Sequence, residues 1–194
     1  MIRAQLRPAI ALTVLFIIGT GLAYPAVITV LAQLLFPRQA NGSLVVRDRK
    51  PVGSELIGQQ FAGPAYFHPR PSAAGAGYDA TASGGTNNGP SDRKLADTLV
   101  AGAIAAAIAT DGATKGAVPA DYATSSASGL DPHISPANAA LQVARVARAR
   151  GVALESVRTL VVQHTAQRQF GLLGEPRVNV LLLNLALDSL LRAP

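Results

Sequence analysis

Apolar residues follow two different patterns along the chain. From Pro8 to Phe36 they run almost unbroken, with Thr13, Thr20, Thr29 and Gln33 as polar interruptions and Tyr24 and Pro25 near the middle. No charge occurs between Arg7 and Arg38. A bilayer core about 30 Å thick needs about 20 helical residues, so the run predicts a transmembrane helix with length left over for tilt. Pro25 marks a place for a kink. A cleaved signal peptide is the rival reading, with Arg3 and Arg7 as its basic region and Gly21-Leu22-Ala23 as its cleavage site. It fits less well, because the apolar stretch continues past Ala23 to Phe36.

Beyond Arg38 the apolar positions become intermittent. Arg38 to Gly42 forms a polar linker, Ser43 to Val46 predicts a strand, and Arg47 to Pro51 predicts a turn. Gly53 to Gln59 is a short element of undecided type. Pro64 to Pro90 is rich in Gly, Ser, Ala and Pro and has no period. A stretch of that length is either disordered or an ordered functional loop. Tyr66, Phe67 and Tyr78 predict at least partial docking, since disordered segments carry few aromatics.

Three helices and a buried terminus follow. The first is predicted from a Ser91 cap, with Asp92 in its first turn and Leu95, Leu99, Ala103, Ala106 and Ala107 as its stripe, to a stop at Gly112. The second opens at Ser135-Pro136, a capping residue followed by proline at the first helical position. Its spacing places Ala137, Ala140, Val143, Ala144 and Ala147 on one face, and Asn138, Gln142 and Arg145 on the other, before Gly151 ends it. The third carries Leu154, Val157, Leu160 and Val161. Val178 to Leu191 is nearly all apolar but too short to span a bilayer, and Asn184 and Asp188 sit one turn apart within it. It predicts a buried helix led in by a strand at Arg177 to Val180. There is no internal repeat. The expected fold class is α+β: a single N-terminal transmembrane helix followed by a small mixed, helix-rich soluble domain. Residues 1–42 are the anchor and linker, and residues 43–194 the soluble domain.

Composition sharpens this picture in three ways. Hydrophobic residues make up 49% of the 194 residues while aromatics are 5% and Trp is absent, so the core is built from small side chains. The net charge of +6 points to an anionic membrane surface or nucleic acid as a partner class. Cations are scattered, with no run of five and no stacking pattern of aromatics among them, so nucleic acid is set aside. With no Cys, disulfides, thiolate metal sites and Cys nucleophiles are excluded. Charge does not orient the anchor: Arg3 and Arg7 on one side face Arg38, Arg47, Arg49 and Lys50 on the other.

Candidate chemistry is sparse. His68, His133 and His164 share no metal-ligand spacing, and His164 continues the stripe of the third helix, so no metal site is expected. Ser128, Asp131 and His133 are the types a catalytic triad needs, but their closeness in sequence is no evidence of triad geometry, and Asp131-Pro132 and Ser135-Pro136 are better explained as turn and cap residues. Ser83 to Pro90 precedes a helix N-terminus with Arg93 and Lys94 beside it, which suits an anion, but no phosphate-loop signature is present. Asn138, Gln142 and Arg145 make a polar face that either contacts a partner or nucleotide or is simply solvated. Tyr66, Phe67 and Arg70 either form a partner patch or pack the long loop onto the domain.

Several ordered stretches resemble the C subunit family of the Kdp-type potassium-transporting ATPase. They are Gly53 to Gln59, Tyr66-Phe67-His68-Pro69-Arg70-Pro71-Ser72, Ser83-Gly84-Gly85-Thr86-Asn87, Ala127 to Pro136, Arg145-Val146-Ala147, Gly174 to Val180 and Leu183 to Asp188. The resemblance implies an accessory subunit without catalysis of its own, in the bacterial plasma (inner) membrane. Its N-terminus would be cytoplasmic and its domain extracytoplasmic. Implied partners are a P-type ATPase catalytic subunit, a channel-like potassium-translocating subunit, a small one-helix subunit and membrane lipid. The implied role is a catalytic chaperone that stabilises the complex and raises the ATP affinity of the catalytic subunit. ATP would be met through the complex, with no cofactor of the chain's own, and Gln142 is the implied nucleotide-linked residue. Partner-contact candidates are Tyr66, Phe67, Arg70, Asn138 and Arg145. The alternative is a membrane-tethered adaptor or hydrolase of another complex.

Overall fold

The computed structural model describes residues 2–190 and divides into two compact units, one reaching to Val52 and one beginning at Gly53. The N-terminal unit is dominated by one continuous helix built from α1 (Ile2–Phe16), a π-wound stretch (Ile17–Ala23) and α2 (Tyr24–Leu35). Its span Ala4–Leu35 has 32 residues, a mean hydropathy of 2.2 and no buried portion. At about 1.5 Å per residue this exceeds a bilayer core about 30 Å thick. The wide winding lies just before Pro25. Proline brings no N–H to the carbonyl of Gly21, four residues earlier, and a local change of winding accommodates that gap. Thr13 and Thr20 return their hydroxyls to the carbonyls of Ala9 and Phe16 at 2.8 and 2.6 Å, so neither hydroxyl meets hydrocarbon unpaired.

A short α3 (Pro37–Ala40) leads to a hairpin of β1 (Leu44–Arg47) and β2 (Lys50–Ser54). Its tip is Asp48-Arg49, with φ of 51° and 64°. Two successive left-handed residues match the twist of a two-residue hairpin. The turn expected from Arg47 to Pro51 is therefore confined to its centre, and Lys50 and Pro51 already belong to β2.

The second unit has its core in α6 (Pro136–Arg150), α7 (Leu154–Gln163) and α8 (Val180–Leu190), against a small antiparallel sheet. Before them come α4 (Ala101–Asp111), continuing a π-wound turn at Lys94–Val100, and the single-turn α5 (Ala120–Ala123). The sheet order is β3 (His133–Ile134), β5 (Arg177–Asn179), β4 (Thr165–Ala166). Ile134 and Thr165 both face Val178 in register. Ile134, Val143, Val146, Val157, Leu160, Val178, Leu183 and Leu187 close the core, and Phe67 joins it from the long loop. The expected helix end at Leu191 lies outside the described residues.

Local signals explain most of the boundaries. Ser135 Oγ accepts from Asn138 N–H at 3.1 Å and Pro136 opens α6, while Gly151 ends it with φ of 66°. Gly112 ends α4 in the same left-handed way, at 69°. The first helix is capped one residue later than expected. Asp92, not Ser91, accepts from the N–H of Lys94, at 2.8 Å. A second correction concerns α6. Of the predicted apolar face, Val143 and Ala147 are in the core but Ala137, Ala140 and Ala144 are exposed, while Asn138, Gln142 and Arg145 of the predicted polar face are buried. An alanine face gains little from burial. Burying polar groups that each find partners is the arrangement the chain adopts, and those partners belong largely to the long loop.

Candidate functional site

The loop from Gly63 to Ser72 is held by side chains acting as backbone partners. Asn184 of α8 grips Phe67 on both sides. Its Oδ1 accepts from Phe67 N–H at 2.8 Å, and its Nδ2 donates to the Phe67 carbonyl at 2.9 Å. Gln142 of α6 does the same for the next residue. Its Oε1 accepts from His68 N–H at 2.7 Å, and its Nε2 donates to the His68 carbonyl at 3.0 Å. Two amide side chains thus replace the neighbouring strand that this extended segment lacks. Phe67 is fully buried as a result, and Gln142, Asn138 and Asn184 are each 1% exposed.

Arg145 completes the grip. Its guanidinium donates to the carbonyls of Pro64 and Tyr66 at 2.7 and 2.8 Å, to Gln142 Oε1 at 2.7 Å, and from Nε to Asp111 Oδ1 at 2.7 Å. The Arg145 and Asp111 side chains are 6% and 0% exposed. The second oxygen of Asp111 accepts from Tyr122 Oη at 2.8 Å. Arg150 adds a bond to the Ala65 carbonyl at 2.6 Å, a pair with Asp188 at 2.8 Å, and a stacking position 4.6 Å from the centre of the Tyr66 ring. A buried ion pair is stable only when its remaining donors and acceptors are met, and here the loop carbonyls meet them.

His68 sits within this lattice. Its Nε2 lies 3.0 Å from the Gly63 carbonyl, which can only accept, so that nitrogen carries the proton. Burial lowers its pKa, with the nearby Arg145 acting the same way, and these outweigh the Gly63 bond and the Asp111 charge. A lowered histidine pKa means that the unfolded chain binds a proton before the folded one does. Stability is then full above the ordinary histidine value of 6.5 and falls as pH drops from there towards the folded pKa. Denaturation midpoints of the full chain are expected to fall between about pH 7.5 and pH 5.5, and His68→Gln to flatten that slope. An equal slope in both proteins would remove His68 as the cause.

A second group of residues lines an open cleft of about 470 Å³ formed by Arg70, Asp121, Asp131, His133, Ser135, Glu175 and Arg177 with their small neighbours. Arg70 donates to Asp131 Oδ2 at 3.1 Å and to the carbonyls of Thr124 and Ser125 at 3.3 and 3.2 Å. Asp131 also accepts from His133 N–H at 3.0 Å, with the His133 ring at 3.4 Å. Burial pushes the Asp131 carboxyl up, but the His133 bonds and the Arg70 charge hold it below its usual range. Tyr78 donates its hydroxyl to the Arg70 carbonyl at 2.6 Å, and burial raises that phenol to about 12.

The cleft and the loop lattice are connected. Asp121 accepts from the backbone and hydroxyl of Ser135 at 2.7 and 2.8 Å and from Asn138 Nδ2 at 3.0 Å, while Asn138 Oδ1 accepts from Gln142 Nε2 at 2.8 Å. An unbroken series of hydrogen bonds runs from the cleft wall through Asn138 and Gln142 to the loop. The long loop is also zipped to the segment before Asp131 by glycines. Gly84 N–H donates to Ser128 at 2.9 Å, and Gly129, with φ of 66°, lies so close to Gly84 and Ala74 that a Cβ there would meet their backbone at 2.5 and 2.6 Å.

The residues singled out from sequence therefore fall into two places. Gln142, Asn138, Arg145 and Phe67 are interior and make internal contacts, with Tyr66 beside them under Arg150. Arg70 faces the cleft. Ser128 Oγ accepts from Leu130 N–H at 3.1 Å and sits 3.3 Å from Ser126 Oγ, so its bonds run away from His133 and no triad is assembled among them. His164 lies at the end of α7, its Nδ1 3.0 Å from the Leu160 carbonyl. The Gly-rich loop before the first helix serves the zip to Ser128, and Asp92 occupies the helix start. Sequence reasoning missed the parts played by Asp111, Asp121, Tyr122 and Arg150. Asn184 carried a signal: a lone amide inside an apolar segment has to find a partner.

An apolar helix of membrane-spanning length followed by a small α+β domain, with an amide-clamped loop beside a charged cleft, defines the class of protein. The sequence profile of the family "K+-transporting ATPase, c chain" matches residues 6–189, and the chain belongs to that family. It is similar to the potassium-transporting ATPase KdpC subunit of Gemmatimonas aurantiaca, 60% identical over 187 residues that cover 96% of this chain and 93% of the relative. Against the subunits of the same name from Polaromonas naphthalenivorans and Rhodospirillum rubrum the identities are 58% over 186 residues and 56% over 184 residues. Those alignments cover 95% of this chain in both cases, and 94% and 95% of the relatives.

Proposed function

We propose that the chain acts without catalysis of its own, as the subunit that stabilises the potassium pump and raises the ATP affinity of its P-type catalytic subunit. The other partners are the channel-like translocating subunit, the small one-helix subunit and lipid around the anchor. The observation that supports a non-catalytic role is the lattice itself. The polar groups suited to chemistry, Gln142, Arg145, Asp111 and Asn138, are buried and bonded to one another and to loop backbone. In this conformation the Gln142 amide has no surface with which to meet a nucleotide. Its link to ATP affinity is then indirect: Gln142 is a positioning residue that fixes the loop around Phe67 and His68 and, through Asn138 and Asp121, the cleft wall. Arg70, at the cleft, is the contact candidate with access to a partner.

The test is potassium-stimulated ATP hydrolysis by the purified complex, with and without this chain, across ATP concentrations. The proposal expects a failed assembly or a raised KM for ATP when the chain is missing. Unchanged assembly and unchanged ATP dependence would leave the tethered adaptor as the better reading.

The orientation we propose is a cytoplasmic N-terminus with the domain in the extracytoplasmic space. The chain has no Cys, so single substitutions report side directly. Ser91 is exposed, whereas Ser43 at 5% exposure is too buried for labelling. Ser91→Cys is expected to react with an impermeant maleimide on intact cells, and Gln5→Cys only after permeabilisation. The reverse pattern would refute the orientation.

A further inference from the structure

The connection between β4 and β5 leaves its largest apolar side chains in water. Phe170, Leu172 and Leu173 are 84%, 80% and 60% exposed. The turn that carries them is nevertheless well built. Gln169 and Leu173 exchange backbone hydrogen bonds, each at 2.9 Å, while the N–H groups of Gly171 and Leu172 donate to Arg168 and Gln169 carbonyls, each at 3.1 Å. Gly171 and Gly174 take left-handed φ of 74° and 75°, which glycine allows freely. Phe170 takes 55°, which a bulky residue resists. The backbone thus accepts strain to project an aromatic ring into solvent. At the base, Arg168 pairs with Glu175, and Arg177 is exposed nearby.

We propose that this hairpin tip is a second membrane contact, in which Phe170, Leu172 and Leu173 enter the interfacial layer of the bilayer that holds the chain's own helix. Three observations select lipid as the occupant. Four backbone N–H groups of the tip bond within the hairpin, which lowers the desolvation cost of moving its apolar side chains into the interfacial layer. Arg168 and Arg177 flank the apolar tip against one acid, Glu175, and so present net positive charge at the level of headgroup phosphates. The same chain carries a helix of membrane-spanning length, joined to the domain by residues 36–52. A tether keeps the bilayer at high effective concentration, so a few side chains suffice to hold a contact too weak to form alone.

The chain contains no Trp, so one introduced Trp is a unique reporter. Phe170→Trp replaces an exposed aromatic and removes no packing. The full chain would be placed in nanodiscs of phosphatidylcholine and phosphatidylglycerol, with or without bromine on the acyl chains near the headgroup. Ile18→Trp in the anchor and Val162→Trp, at a site 69% exposed on α7, serve as references. The expected result is a blue-shifted Phe170→Trp emission that brominated lipid quenches, a quenched Ile18→Trp and an unquenched Val162→Trp. Adding Leu172→Asp to the Phe170→Trp chain is expected to abolish quenching of the tip reporter while far-UV circular dichroism stays unchanged. A quenched anchor reporter with a red, unquenched tip would overturn the proposal and leave the anchor standing. A blue-shifted but unquenched tip would place it against protein instead, and also overturns the proposal. Loss of quenching at both positions would remove the anchor as well as the tip.

Discussion

Arg145→Ala is expected to lower the unfolding free energy of the full chain by about 3–5 kcal/mol, the range for breaking a buried ion pair by removing one partner. The substitution strands the carboxylate of Asp111, whose side chain is fully enclosed, and it removes the donors to the Pro64 and Tyr66 carbonyls. The companion change Asp111→Asn should recover part of that loss, because the stranded group then carries no charge. Denaturant unfolding of the purified chain in detergent, for both single variants and the double variant, measures the effect. A loss under about 1 kcal/mol would show that the pair behaves like a solvated surface pair.

Asn184→Leu is the second large effect. The side chains are similar in size, so little cavity is expected. Two buried backbone groups of Phe67 lose their partners, the N–H at 2.8 Å and the carbonyl at 2.9 Å. At about 1–3 kcal/mol for each unsatisfied group, the expected loss is about 2–6 kcal/mol. The loop should also detach locally before the domain unfolds, because Asn184 holds it from α8 while Gln142 holds the adjacent residue from α6. Limited chymotrypsin digestion reports this directly, since Phe67 is fully buried in the folded domain. Rapid cleavage after Phe67 at temperatures where α-helical signal persists is the predicted outcome. Parallel loss of both signals would mean the loop and the helices form one cooperative unit.

The parts of the fold that were legible in sequence are those fixed by local chemistry. Charge-free length defined the long N-terminal helix, Ser135-Pro136 and Gly151 fixed both ends of α6, and an apolar run too short for a bilayer marked α8. Legibility ended where the decisive partner was remote. Gln142 lies 74 positions from His68 and Asn184 lies 117 from Phe67, and nothing in local periodicity encodes such pairs. Small side chains made the problem harder. Ala137, Ala140 and Ala144 had little to gain from burial, so the buried side of α6 turned to combine Val143 and Ala147 with the polar residues that serve the loop. The site itself was half visible. Gln142, Asn138 and Arg145 were recognisable as a set, but their role as clamps depends on Asp111, Asp121 and Asn184, each supplied by a different element.

The proposed link between Gln142 and the pump runs through the loop that this side chain holds. The most direct test is the KM for ATP of potassium-stimulated hydrolysis in complexes carrying Gln142→Ala or Asn184→Ser. Both would be measured at a temperature where circular dichroism shows each variant folded. Asn184 grips the same loop from another helix, so loosening the loop from either side is predicted to raise the KM in both variants, with assembly retained. A raised KM for Gln142→Ala beside an unchanged KM for Asn184→Ser would contradict this account and assign the effect to the glutamine amide itself.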